Sequence, residues 1–231
     1  MSMLSLTRAA LGKDLRLEWR SKDSFNSMLF FALLVVVIFS FAFEPSAEES
    51  RRIAGGIIWV AFLFASMVAL NQTWARELRN RVLDAYRLSP APANALFLGK
   101  ALGNFVFVAL MELLLTPLFV IFYNLRVLGE PWQLLLVLLL GTWALVVNGT
   151  FFAAISLHTR NREMMLPLIL FPISIPAILA MVEATTAILT GEGTVVAGPN
   201  SALMWLKLLA GYDIVFTSAC LLLFDTVLNA E

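Results

Sequence analysis

The chain has 231 residues, of which 60% are hydrophobic and only 14% charged, and its formal net charge is zero. Soluble domains carry charge on about a quarter of their residues, so this composition argues against a soluble enzyme and predicts a polytopic membrane protein. We expect no nucleic-acid partner, and the single cysteine, Cys220, excludes an intrachain disulfide.

The first predicted element is a helix over residues 1–24, before any long apolar run. Its apolar residues recur at helical spacing and share one face: Leu4, Leu11, Leu15 and Trp19. Lys13, Arg16 and Arg20 lie off that face, which is typical of a helix at the membrane interface. A solvated cytoplasmic helix with no role beyond fixing topology is the alternative.

Six later stretches are apolar and long enough, at about 20 residues, to cross a bilayer core of about 30 Å as helices. They are residues 25–43, 53–73, 101–124, 132–157, 164–183 and 203–227. We therefore predict an all-α fold in which residues 25–231 form a six-span transmembrane domain. Residues 184–201 are rich in Gly and Thr and are predicted to form an external loop. Trp74, Trp132 and Trp205 lie at span ends and are predicted to anchor at the headgroup level.

The basic residues predict the orientation of the spans. Five precede the first span (Arg8, Lys13, Arg16, Arg20 and Lys22), five lie between spans two and three (Arg76, Arg79, Arg81, Arg87 and Lys100) and two lie between spans four and five (Arg160 and Arg162). Twelve of the sixteen Lys and Arg residues therefore share one side. Because Lys and Arg concentrate in cytoplasmic connections, we predict that both termini are cytoplasmic.

Residues 76–88, RELRNRVLDAYRL, form a polar, helix-patterned segment between spans two and three. Leu78, Val82, Ala85 and Tyr86 share one arc of this helix, and polar residues occupy the opposite arc. Pro90 and Pro92 end the helix before the next span, which is predicted to begin near Ala95. Such a helix either transmits force from a soluble partner or only holds the loop in the cytoplasm. The residues predicted to form the partner-coupling segment are Arg76, Glu77, Leu78, Arg79, Arg81, Val82, Ala85, Tyr86 and Arg87.

Motifs for chemistry are absent from the sequence. No GxxxxGK[ST] motif cradles a nucleotide and no HExxH motif binds zinc, so we predict neither an enzyme nor a cofactor or metal site in this chain. The only histidine, His158, is predicted to be a polar group that snorkels to the membrane surface.

We single out three polar residues of the predicted spans: Glu112, Asn148 and Asp213. Glu112 lies near the middle of span three with no Lys or Arg at its depth, so we expect it to be protonated or hydrogen-bonded, with Asn148 as the predicted partner. A functional role and a helix-packing role both stay open for Glu112. Asp213 in span six is similar, and Lys207 lies off its helix face. The Gly99 to Gly103 GxxxG pattern predicts close helix packing.

Three segments carry a resemblance to a known family: LGKDLRLEWRSKDSFNSMLFFALLVVVIFSFAFEP, IAGGIIWVAFLFASMVALNQTWARELRNRVLDAYRLSPAP and LFLGKALGNF. In this ordered combination the chain resembles the haem exporter protein B (CcmB) family, the permease subunit of the cytochrome c maturation ABC transporter complex. The likeness is densest over residues 11–124 and continues as the span pattern and the run LPLILFPISIPAILA.

The resemblance implies an ABC-2-type six-span permease in the bacterial inner membrane. It also implies two copies of the permease with two copies of a cytoplasmic ATPase that binds ATP, together with further membrane subunits and an external haem chaperone. Haem is then the cargo of the complex, and ATP hydrolysis drives haem delivery or release of the loaded chaperone. Because its predicted external loops contain no histidine, we expect that this chain does not hold haem on the outer face.

Two other functions fit the sequence. One is an ABC-2-type permease for another lipid or drug-like solute. The other is a membrane assembly factor that needs no ATPase, in which the basic residues of the 76–88 segment serve topology alone.

Overall fold

The fold is known from a computed structural model that describes residues 3–42, 47–79, 92–157, 159, 161–191 and 201–229. All regular secondary structure in these ranges is helical, which confirms the predicted all-α class. The helices are α1 (Met3–Ser21), α2 (Asp23–Ala42), α3 (Ala47–Thr73), α4 (Ala75–Arg79), α5 (Ala93–Phe122), α6 (Pro131–Ser156), α7 (Arg162–Thr190) and α8 (Ala202–Asn229). Among these, α2, α3, α5, α6, α7 and α8 are long and apolar enough to cross a membrane.

Helix α5 begins before the predicted apolar span 101–124 and close to Ala95, where the sequence predicted that the next helix starts. Its first residue is Ala93, and Pro92 precedes it in an extended conformation with φ −64° and ψ 129°. Lys100 therefore lies two turns inside a helix, whereas the sequence pattern had grouped it with the loop.

Helix α7 runs to Thr190, so the prediction of a loop was wrong for residues 184–190. Threonines of this extension contact α3: the indole of Trp59 donates a hydrogen bond to Thr185 Oγ1 at 2.9 Å. A Cβ added to Gly55 would lie only 2.5 Å from Thr186 Oγ1, so the two helices are close here. Hydroxyl side chains and glycines are common at such contacts between membrane helices. Gly191 then ends the helix with φ +78°, a conformation that favours glycine.

Helices α3 and α6 occupy the centre of the bundle. In their most apolar stretches 67% and 61% of the residues are buried, against 22–33% in the other four spans. The outer helices expose large apolar side chains, as a lipid-facing surface requires. Examples with at least 70% exposure are Phe30, Phe41, Leu113, Ile121, Leu168 and Leu222.

Helix α1 packs along the first half of α5. A Cβ added to Gly99 would lie 2.5 Å from Ala10 Cβ and 3.1 Å from the Thr7 carbonyl oxygen, so these backbones approach closely. The predicted close packing at this glycine is confirmed. The apolar face predicted for α1 is divided, because Leu4 and Trp19 are exposed while the leucines between them are half-buried. The interfacial position of α1 stays a prediction.

Candidate functional site

The partner-coupling segment predicted over residues 76–88 starts in α4, which Trp74 separates from the end of α3. Within α4, Glu77 is buried and Leu78 is 44% exposed. The side chains of Arg76 and Arg79 lie outside the described part of the structure. So do Arg81, Val82, Ala85, Tyr86 and Arg87, together with His158. The two-faced helix beyond Arg79 therefore stays a prediction.

Glu77 belongs to an ion-pair cluster that joins α4 to two other helices. Lys100 on α5 places its Nζ 2.9 Å from Glu77 Oε1 and 3.2 Å from Asp14 Oδ2 on α1. Lys13 on α1 also pairs with Glu77 Oε1, and its Nζ lies 3.6 Å from Asp14 Oδ1. We call Lys13, Asp14, Glu77 and Lys100 the base cluster. It contains two positive and two negative side chains and ties the start of the predicted segment to α1 and α5.

Lys100 is the most buried charge of the base cluster, with a side chain that is 2% exposed. Its ammonium also donates a hydrogen bond to the Thr73 carbonyl oxygen at 3.3 Å and lies 4.8 Å from the ring centroid of Trp74. A buried ammonium needs charged or polar partners on several sides, because unpaired burial costs several kcal/mol. The end of α3 and the start of α4 supply part of that environment.

The charges of the base cluster control the ionisation of Glu77. Burial raises the pKa of its carboxyl, but the ammonium groups of Lys100 and Lys13 outweigh burial, and the pKa lies below its usual value of 4.5. Glu77 is therefore ionised at neutral pH and keeps its attraction for both lysines.

Polar side chains around the base cluster connect it to α6 and α2. Thr73 donates a hydrogen bond to Asn104 Oδ1, and Asn104 Nδ2 donates to Thr150 Oγ1, both at 3.0 Å. On the other side, Ser24 donates to Gln72 Oε1 at 2.7 Å. A small cavity of about 50 Å³ is lined by Ser24, Gln72, Thr73 and Asn104 from this set, together with Asp14, Glu77 and Lys100. The end of α3 is thus hydrogen-bonded directly to α2 and α5, and through Asn104 to α6.

Trp74 holds the junction of α3 and α4 in an aromatic cluster. It is 1% exposed, and its indole N–H donates to the Thr150 carbonyl oxygen at 2.9 Å. Its ring stacks on Phe224, which in turn contacts Phe97 at a centroid distance of 4.9 Å. The prediction that Trp74 anchors at the membrane surface was wrong, because its N–H finds its partner inside the bundle. Trp132 is 51% exposed.

Within the spans, Glu112 has a different partner from the predicted one. Thr142 on α6 lies 2.6 Å from both carboxyl oxygens of Glu112. Asn148 instead donates to the Tyr212 hydroxyl oxygen at 2.9 Å, and the Cys220 thiol lies 3.9 Å from Asn148 Oδ1. The predicted pairing of Glu112 with Asn148 was therefore wrong, since Glu112 hydrogen-bonds Thr142 on α6 and Asn148 hydrogen-bonds Tyr212 on α8.

Asp213 is buried, and neither of its carboxyl oxygens has a hydrogen-bond partner among the described residues. Lys207 is exposed and makes no ion pair with Asp213, in line with its predicted position off that helix face. Across the described ranges, no group of three His, Cys, Asp or Glu residues is arranged to hold a metal ion.

The sequence did not reveal the base cluster. Its members are far apart in the sequence, from Lys13 to Lys100, and Lys100 looked like one more positive charge of a cytoplasmic loop. One signal was available: Pro92 is a favourable residue just before a helix, and a helix that starts there carries Lys100 inward. The partners Thr142 and Tyr212 gave no signal, because hydroxyl residues are common in membrane helices.

Comparison with known proteins gives a consistent result. The sequence model described as CcmB protein matches residues 5–226. The chain is 36% identical over 172 residues to the heme exporter protein B of Rhodobacter capsulatus, covering 74% of this chain and 78% of that protein. It is 32% identical to the protein of the same name from Paracoccus denitrificans, covering 86% and 88%, and 29% identical to that from Pseudomonas aeruginosa, covering 90% of each.

Proposed function

The chain belongs to the CcmB protein family, and from this premise we propose that it is the permease subunit of a haem exporter complex in cytochrome c maturation. It is a multi-pass membrane protein and a transport subunit. In the proposal, a separate cytoplasmic ATPase supplies the energy, and two copies of each subunit assemble in the bacterial inner membrane. Further membrane subunits and an external haem chaperone complete the complex, and both termini of this chain face the cytoplasm.

The observation that supports coupling to an ATPase is the base cluster. The predicted coupling segment begins in α4, and Glu77 in its first turn pairs with Lys100 on α5 and Lys13 on α1. Leu78, next to it, is 44% exposed and leaves an apolar side chain available to a partner. The segment thus has one exposed residue, Leu78, and one buried residue, Glu77, which forms ion pairs with the bundle.

We infer a sequence of movements from these contacts. Closure of the ATPase displaces the exposed side of the segment, and the ion pairs of Glu77 carry the displacement to Lys100 and Lys13. Because α1 and α5 are packed closely at Gly99, they move together rather than separately. The consequence on the far side of the membrane is haem delivery or release of the haem-loaded chaperone.

The test uses Leu78→Asp in a strain that lacks the native gene. A charge at this position removes the apolar contact with the ATPase while leaving the buried residues unchanged. We expect loss of ATPase co-purification and of haem-stained c-type cytochromes, at an unchanged level of the variant in the membrane. The control is Val127→Asp, because Val127 is 40% exposed and lies in the connection between α5 and α6 at the opposite end of the bundle.

Three outcomes would contradict the proposal. Normal ATPase association and normal cytochromes in the Leu78→Asp strain would remove the coupling role of the segment. Normal haem-stained cytochromes in the deletion strain itself would favour a permease for another solute. Purification at native expression without a P-loop protein in equal amount would favour an assembly factor.

A further inference from the structure

A groove on the outside of the bundle lies between α1, α2 and α5 and has a volume of about 610 Å³. It is distinct from the cavity beside the base cluster, although Glu18, Phe25 and Phe107 border both. Its lining residues are Glu18, Trp19, Lys22, Phe25, Asn26, Phe107, Leu110, Leu113 and Leu114. The polar members of this set come from α1 and the start of α2, and the leucines all come from α5.

Lys22 supplies the charge at the polar end of the groove. It lies between α1 and α2 with φ 55°, and this left-handed residue turns the chain from one helix into the next. Lys22 is exposed, and among the described residues no acidic side chain forms an ion pair with its ammonium. Glu18 is buried and accepts a hydrogen bond from the Ser24 backbone N–H at 3.0 Å, so its carboxylate is directed inward. Among the side chains that the structure describes, the accessible charge at this end of the groove is therefore positive.

The remaining lining of the groove matches an acyl chain in the membrane. From Phe107 to Leu114, α5 advances about 10 Å along a membrane-spanning helix. Leu113 is 71% exposed and Leu110 is 42% exposed, so this face has no protein partner within the described part of the chain. Trp19 is 73% exposed beside Lys22, and indoles prefer the headgroup level of a bilayer.

We propose that this groove binds one anionic phospholipid of the surrounding membrane, with its phosphate at Lys22 and an acyl chain along Phe107 to Leu114. Lipid tails are as apolar as leucine, so the apolar lining gives no preference over the bulk bilayer. Selectivity must therefore come from the headgroup, through the ammonium of the exposed Lys22 at the polar end of the groove. The site requires only that the chain spans a membrane, and it is independent of haem export.

The experiment uses the full chain in vesicles that contain equal amounts of phosphatidylglycerol and phosphatidylcholine, one of them carrying a photoreactive acyl chain. Peptide mapping then measures labelling of residues 107–114. We expect stronger labelling by the phosphatidylglycerol probe, and we expect Lys22→Gln to reduce it about fivefold, the effect of one basic residue near an anionic membrane surface. Lys207→Gln, an exposed lysine near the opposite end of the bundle, leaves the labelling unchanged.

Leu113→Trp provides a second variant, because an indole fills the groove without introducing charge. It should abolish the preferential labelling while the helical circular dichroism stays at its wild-type value. Equal labelling by the two probes would overturn the proposal, as would unchanged phosphatidylglycerol labelling in Lys22→Gln. Crosslinking of residues 107–114 to a second protein chain in place of lipid would also overturn it.

Discussion

Replacing Lys100 by Met tests whether the base cluster holds α4 to the bundle. Methionine keeps the length and apolar stem of the side chain but removes the ammonium that lies 2.9 Å from Glu77 and 3.2 Å from Asp14. Breaking a buried ion pair by removing one partner costs about 3–5 kcal/mol, because the other charge stays buried without compensation. Here Lys13 still pairs with Glu77, and Asp14 is 20% exposed and can be partly hydrated. We therefore expect the lower end, about 3 kcal/mol.

Thermal unfolding of the purified chain in detergent micelles measures this loss. For a chain of this length, 1 kcal/mol shifts Tm by about 2–4 °C, so Lys100→Met should lower Tm by about 6–12 °C. Lys13→Met is the matched control. Its side chain is 36% exposed, and exposed ion pairs contribute only about 0–1 kcal/mol, so its Tm should fall by about 4 °C at most.

The double variant Lys100→Met with Glu77→Gln makes the reasoning refutable. Neutralising Glu77 removes the carboxylate that the first change left short of a partner, so part of the lost stability should return. If Lys100→Met costs no more than Lys13→Met, the base cluster does not carry the stability assigned to it. If Glu77→Gln adds its own full loss to that of Lys100→Met, the two residues are not coupled.

Three further predictions concern other contacts of the structure. The first concerns pH, because the pKa of Glu77 in the folded chain lies below 4.5 and the unfolded chain therefore binds the proton more tightly. The ionised Glu77 stabilises the fold above about pH 4.5, and this stabilisation is lost as the pH falls through the pKa of the folded state. As the pH is lowered from about 6 to about 3, the Tm of Glu77→Gln should fall less steeply than that of the wild type. Parallel curves of Tm against pH for the two proteins would contradict this. Gly99→Ala should lower the free energy of unfolding by about 1–3 kcal/mol, because the added Cβ meets α1. Gly103→Ala is the control, since its added Cβ lies 3.6 Å from the nearest atom, Asp14 Cβ, and it should be neutral or slightly stabilising in the same unfolding assay. Thr142→Val should cost about 1–3 kcal/mol by leaving Glu112 without its hydroxyl partner, whereas Thr142→Ser should retain stability, and equal losses in the two variants would contradict the hydrogen bond.

The sequence was sufficient for the all-α fold and the number of spans, because the bilayer permits few alternatives. A long apolar stretch has to be helical in lipid, so composition alone locates the spans. Helix ends were harder, and residues 184–190 show why. Their Thr content was interpreted as a loop signal, but Thr185 and Thr186 contact Trp59 and Gly55 on α3. The same hydroxyl group suits a loop in water and a helix contact in lipid, and only the neighbouring helix distinguishes the two.

Partners within the site were beyond the sequence for a related reason. Hydropathy gives the approximate depth of a residue but not the direction in which its side chain points. Glu112 and Asn148 were paired on depth, yet Glu112 contacts Thr142 and Asn148 contacts Tyr212. Both contacts depend on the rotation of α6 about its axis, which no apolar pattern fixes in a helix buried on most sides.

The position of Lys100 determines how the proposed coupling would act on the bundle. If the predicted segment were joined to the rest only through the backbone of α3, a force on it would first bend the junction at Trp74. Lys100 contacts both Glu77 in α4 and the carbonyl oxygen of Thr73 at the end of α3, so it resists that bending. The second carboxylate that pairs with the Lys100 ammonium belongs to Asp14, and it extends the same connection to α1. A force on the segment therefore acts on the ends of α3, α5 and α1 together, and the Lys100→Met variant should uncouple ATP hydrolysis from cytochrome maturation under conditions in which it still folds.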